Sequence, residues 1–206
     1  YNITMELILD KFSYPEIVRD DDSADIRLYK TPDGSSVPSV TSILSKTKDM
    51  KHLNEWAERI GKEEAKRIRN EAASIGTKMA EVIIEEGLRH VDEVWGSEVQ
   101  LYYKDQYAGT TDIVGLYKGI PHIIDFKQTN RPKKDEWITD YYLQLCAYAH
   151  AHNEVTGTDI NGGVVLMCSR DLTFQKFEMN EIQFQKYSYM WFNRVKEYRK
   201  LVNLDS

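Results

Sequence analysis

Apolar and polar residues alternate with period two through three consecutive stretches, Glu98–Tyr103, Tyr107–Tyr117 and Ile120–Lys127, separated by the turn-forming pairs Lys104-Asp105 and Lys118-Gly119. Period two belongs to strands with one face inward, and short polar breaks join antiparallel neighbours, so this part of the chain predicts a β-meander. The period then lengthens to that of a helix over Asp140–Asn153. Two further strands are expected at Gly162–Ser169 and Thr173–Glu178, and a closing helix at Glu181–Val202. Upstream, Ile26–Lys30 and the Pro32-Asp33-Gly34 turn predict a hairpin leading to Val37-Pro38-Ser39, with Ser39 or Thr41 capping a short helix, Ser42–Lys46. Strong helix formers fill Met50 to Gly87, with Gly61 and Gly76 marking breaks or close contacts.

Strands joined as a meander, then a helix, two strands and a helix predict an α/β fold: a central mixed β-sheet, the antiparallel meander plus added strands, flanked by helices. With no internal repeat or low-complexity tract, the 206 residues are expected to form one domain: an N-terminal segment 1–48, a helical region 49–90 and a core 95–202. A composition of 41% hydrophobic and 29% charged residues supports a buried core and argues against disorder or a rod. The net charge of −6 excludes a uniformly basic surface but not a local basic stripe. Lys46, Lys48, Lys51, Arg59, Lys62, Lys66, Arg67 and Arg69 cluster in the helical region, where Glu55, Glu58, Glu63 and Glu64 interleave with them. That pattern suits a solvated helix face with i,i+4 ion pairs as well as a wall for a polyanion. Cys146 and Cys168 are too few for a disulfide scaffold or a Cys₄ metal site, so a reducing compartment is expected. The longest apolar run, Val164–Cys168, is far too short to span a bilayer, and the N-terminal stretch lacks a signal-peptide core.

Within the strand Ile120–Lys127, alternation sets Ile123, Asp125 and Lys127 on one face. If Lys118-Gly119 is a two-residue turn, Tyr117 pairs with Ile120 and Asp112 falls opposite Asp125; a bulge at Pro121 would shift that register. Like charges on one rung are unfavourable. Protonating one acid relieves the repulsion, and so does a hard cation such as Mg²⁺ or Mn²⁺ held by carboxylate oxygens. Glu98 falls beside or opposite Asp112, depending on whether its turn has two residues or three. An ordinary ladder of surface acids with a nearby lysine would give the same alternation.

Gly109-Thr-Thr-Asp112, then Ile124-Asp125-Phe-Lys127, then Gln144-x-x-x-Tyr148 on a helix resembles the PD-(D/E)XK nuclease superfamily in its RecB-like branch. Val37-Pro-Ser-Val-Thr-Ser-Ile-Leu44, Gly76-Thr77 and the Asp-aromatic-Lys segment running into Arg131-Pro-Lys-Lys134 are similar to the mitochondrial genome maintenance exonuclease family and its phage relatives. The resemblance covers about residues 36–200. It implies a nuclease fold that binds one or two Mg²⁺ or Mn²⁺ ions and hydrolyses phosphodiester bonds of DNA, with single-stranded substrate and a free end. Glu98, Asp112, Asp125 and the Phe126 backbone carbonyl would ligate metal. Lys127 would orient the attacking water and stabilise charge on the phosphoryl group, with Gln144 and Tyr148 completing the catalytic set. Arg131, Lys133, Lys134, Lys62, Lys66 and Thr77 would contact DNA, together with Arg194, Lys196, Arg199 and Lys200 of the closing helix. Trp137 and Tyr142 would be placed to stack unpaired bases. A monomer in a bacterial or phage-infected cytoplasm, or in the mitochondrial matrix, is expected, without membrane attachment or secretion.

One position departs from the pattern. RecB-like relatives run Gly-Thr-x-x-His, whereas Gly76-Thr77-Lys78-Met79-Ala80 ends in alanine. That alanine motivates one rival reading, a single-stranded nucleic-acid-binding module with impaired catalysis; the other alternative to the exonuclease is a structure- or site-specific endonuclease of the same superfamily.

Overall fold

In the computed structural model, which describes residues 5–20, 28–48 and 75–204, the meander is built on turns whose chemistry is written in the chain. Lys118 and Gly119 both take positive φ, 50° and 76°, the conformation a two-residue hairpin needs to match strand twist. Strands β6 (Tyr107–Tyr117) and β7 (Ile120–Thr129) pair from Tyr117↔Ile120 to Ile113↔Ile124 without a shift at Pro121. Strand β5 (Val91–Tyr103) joins β6 through the three-residue loop 104–106, with Asp105 at φ 62°.

β5 begins seven residues before the alternation suggests, because two register shifts, Val91/Glu93 and Val94/Gly96, break its period. Gly115, the partner of Val94, lies at the second. A Cβ there would stand 1.9 Å from the Glu93 carbonyl oxygen, so only glycine permits the approach.

The six-stranded sheet has the order β1-β5-β6-β7-β8-β9, with β1 (Glu6–Leu7), β8 (Gly163–Ser169) and β9 (Phe174–Met179) added to the meander. β7 and β8 are parallel, and β1 pairs parallel with β5, which makes the sheet mixed. Between β7 and β8 runs helix α3 (Thr139–Thr156), which ends in Gly157 at φ 76°. Every residue of β8 is buried, as expected for a strand covered on both faces.

Helices α1 (Val40–Lys46), α3 and α4 (Glu181–Leu204) pack on the face carrying Val114, Ile123, Val165 and Met167. The other face, with Ile113, Ile124, Val164 and Leu166, takes Met79 and Ile83 of α2, helical over 75–87. The chain is thus α/β, a mixed sheet between helical layers. A smaller sheet, β2 (Val18–Asp20), β3 (Leu28–Lys30) and β4 (Ser36–Pro38), contains the expected hairpin, and Ser39 caps α1 by accepting from the Ser42 N–H at 3.0 Å. Among the described residues no helix is long and apolar enough to cross a membrane.

Arg194 on α4 corrects one sequence expectation. Instead of facing a phosphate, its guanidinium donates to Asp140 Oδ1 at 3.0 Å, the Leu44 carbonyl at 2.9 Å and Thr47 Oγ1 at 2.5 Å, clamping α1 and α3 to α4. Arg199 likewise donates to the Asp105 carbonyl. Planar, multiply donating groups suit such junctions, and the sequence does not disclose the acceptors.

Candidate active site

The β6–β7 ladder runs to Ile113↔Ile124, and the next residues are Asp112 and Asp125. Here the strands exchange a different bond: Asp112 Oδ2 accepts the Phe126 N–H at 2.8 Å. A carboxylate is a stronger acceptor than a peptide carbonyl, so it captures the donor and the regular ladder stops. Because the N–H and C=O of one strand residue point to the same side, the Phe126 carbonyl also faces this gap.

Asp125 and Lys127 share a face, as alternation requires, with Lys127 Nζ 3.1 Å from Asp125 Oδ2. The two form an ion pair within the buried site. The lysine also donates to Gln144 Oε1 at 3.0 Å, and Gln144 Nε2 approaches the Tyr148 hydroxyl at 3.5 Å. Below the ammonium lies the Tyr141 ring, its centroid 4.9 Å away. Tyr148 in turn fills the space over Gly109, where a Cβ would come within 2.9 Å of its ring. The glycine of Gly109-x-x-Asp112 and the tyrosine of Gln144-x-x-x-Tyr148 are therefore one packing unit, which fixes Gln144 against Lys127.

Burial dominates the electrostatics of Asp125, which is only 5% exposed, and pushes its carboxyl up to about 7. Lys127 opposes that rise, while the adjoining Asp112 carboxylate adds to it. Burial also raises the Tyr148 phenol well above its ordinary value, so it stays protonated as a hydrogen-bonding group.

Glu98 follows the three-residue turn. Ser97↔Ile113 and Val99↔Thr111 bracket it, so it lies directly opposite Asp112 in register. The rung itself is skipped, because Glu98 takes φ 48°, a conformation that costs a residue with a side chain about 1–3 kcal/mol. Exposed Glu98 and half-buried Asp112 line one cleft of about 730 Å³. Among the described residues no three His, Cys, Asp or Glu side chains stand close enough together to hold a metal ion. The structure thus unites Asp112, Asp125, Lys127, Gln144 and Tyr148 but does not draw Glu98 into a three-carboxylate group. The available donors, two carboxylates and a peptide carbonyl, are all hard oxygens, which suit a divalent cation of the Mg²⁺ or Mn²⁺ class.

Of the expected DNA contacts, Arg131 and Lys134 are exposed and Lys133 is half-buried, its backbone held on both sides by the Gln175 amide. Thr77 is exposed on α2, beside Gly76, whose carbonyl accepts from Gln128 Nε2 of β7 at 3.0 Å. Ala80 is half-buried on the same helix, next to Met79, which packs on the sheet face away from Lys127. Lys62 and Lys66 lie outside the described residues.

Tyr142 corrects a second expectation. It is buried, stacked on Tyr187 with centroids 4.7 Å apart, and its hydroxyl donates to Asp135, so no face is free for a base. Its neighbour Tyr141 reaches the site, and its place three residues before Gln144 is the signal that would have found it.

The sequence matches no family model and no curated protein. Among solved structures, SSO0001 is similar at 14% identity, with a TM-score of 0.38 over 76% of this chain and 75% of that one. So distant a likeness carries no argument.

Proposed function

We propose that this chain is a Mg²⁺- or Mn²⁺-dependent deoxyribonuclease of the PD-(D/E)XK type that hydrolyses phosphodiester bonds of single-stranded DNA from a free end. The observation that carries the reading is a buried carboxylate, Asp125, that shares its site with the Asp112 carboxylate and stands 3.1 Å from the Lys127 ammonium.

Asp112, Asp125 and the Phe126 carbonyl would hold the cation, while Glu98 stays outside that set. The cation supplies a Lewis acid for the phosphoryl group and favours ionised Asp125. Lys127 offsets negative charge that develops on the phosphoryl oxygens and orients water for in-line attack. Gln144 holds that ammonium through its Oε1, and Tyr148 seats Gln144, so both position Lys127.

The reading is tested with DNA labelled at each end, as linear single strands, closed single-stranded circles, blunt duplex and tailed duplex. Cleavage of linear strands and tailed duplex in Mg²⁺ or Mn²⁺, none in EDTA, and intact circles support it. Cleaved circles favour an endonuclease. Binding without metal-dependent cleavage of any substrate would leave the binding-module reading, which the alanine at 80 motivates.

A further inference from the structure

The Asp125–Lys127 pair is flanked by clefts of opposite character. On the Asp112 side the lining of the larger cleft includes Glu98 and Asp112 and, among the described residues, no lysine or arginine. A bare phosphate backbone is repelled there. On the other side two adjoining clefts, of about 280 and 330 Å³, meet at Lys48, Asp140 and Tyr141. The inner one is bounded by Lys127 and Gln144, the outer one by Lys133 and Trp137. Asp140 is paired with Arg194 at 3.0 Å and Lys127 with Asp125 at 3.1 Å, so Lys48 and Lys133 set the sign of the groove.

Aromatic rings alternate with these cations. Tyr141 lies beneath Lys127, and Trp137 stands at the outer end, 61% exposed, with Lys134 Nζ 5.3 Å from its ring. An indole left in water beside cations forfeits the burial that normally places tryptophan inside a protein. Cations along a groove with aromatic platforms between them form the arrangement that holds unpaired nucleic acid, because every base offers a π-face while the phosphates meet lysines.

We propose that this groove is the track of the unpaired strand beside the reaction centre, one nucleotide to each cleft, with the base of the outer nucleotide stacked on Trp137. Trp137 is then the residue that distinguishes unpaired from paired DNA, since bases within a duplex are already stacked. Naming DNA as the ligand rests on the nuclease reading; the track itself is tested by binding alone.

The experiment is fluorescence anisotropy of a labelled oligothymidylate of twelve nucleotides and of a blunt hairpin duplex, in EDTA, with metal-dependent cleavage assayed in parallel. Trp137→Ala is expected to raise Kd for the single strand between about five- and 150-fold, and Trp137→Phe to stay within about three-fold of wild type, since an aromatic face is retained. Duplex affinity should be unchanged in both. Lys133→Ala, which spares the indole, should weaken single-strand binding and flatten its salt dependence. Wild-type affinity in Trp137→Ala, equal loss in the alanine and phenylalanine variants, or equal loss for duplex and single strand would overturn the track. Cleavage by wild type without any Trp137 effect on binding removes the track and leaves the nuclease. Trp137-dependent binding without cleavage does the reverse.

Discussion

Asp125 is the residue on which the chemistry and the stability of the site meet. Its carboxyl, pushed up to about 7, keeps a proton in the folded state that the unfolded chain releases near pH 4. Between those values the folded state binds more protons, so metal-free stability falls as pH rises through the window. Asp125→Asn should flatten that decline, leaving the variant more stable than wild type above pH 7; thermal unfolding in EDTA from pH 5 to 8 measures it. His152, lowered by burial to about 4, adds an opposite acid-side loss, but wild type and variant share it and it cancels in the difference. Adding Mg²⁺ should restore stability to wild type alone, because a ligand bound only by the folded state stabilises it. Gly109 supplies a second test at this scale. Gly109→Ala forces a methyl against the buried Tyr148 ring and should cost about 1–3 kcal/mol in urea unfolding, with cleavage reduced as Gln144 loses its support.

At the scale of elements, the chain announces its antiparallel parts more plainly than its irregular ones. Lys118-Gly119 dictates the hairpin, whose register holds as read to Ile113↔Ile124 and so brings Asp112 and Asp125 side by side just beyond the ladder. The first half of β5 is not legible, because its bulges at Val91/Glu93 and Val94/Gly96 destroy the period on which strand reading depends. Nor is the strained Glu98, whose φ of 48° appears only where β5 has to cross Asp112. Arg194 is legible as a charge but not as a clamp, since its three acceptors come from residues some 50 to 150 positions away. Arg194→Met should cost about 1.5–3 kcal/mol in urea, the range for hydrogen bonds to charged groups, and Arg194→Lys should restore only part of it because one ammonium cannot reach all three acceptors.

Across the whole molecule, the mixed sheet carries the carboxylate pair where β6 and β7 leave their ladder, and α3 brings Gln144, Tyr148 and Tyr141 over the lysine. A net charge of −6 gives little long-range attraction for DNA, so under the proposed reading local cations carry the binding, and among the described residues these are the lysines of one groove. With two or three phosphates neutralised, the slope of log K against log salt for a single strand should be about −1.4 to −2.1, far shallower than for a basic duplex binder. The most direct test of the central claim is the cleavage rate of end-labelled single-stranded DNA in Mg²⁺ by wild type, Asp125→Asn and Lys127→Ala, with folding verified for each. Metal-dependent cleavage by wild type, and a loss of at least ~10²-fold in both variants, is the predicted result. Either variant within tenfold of wild type, or no cleavage by wild type in any divalent metal, would contradict it.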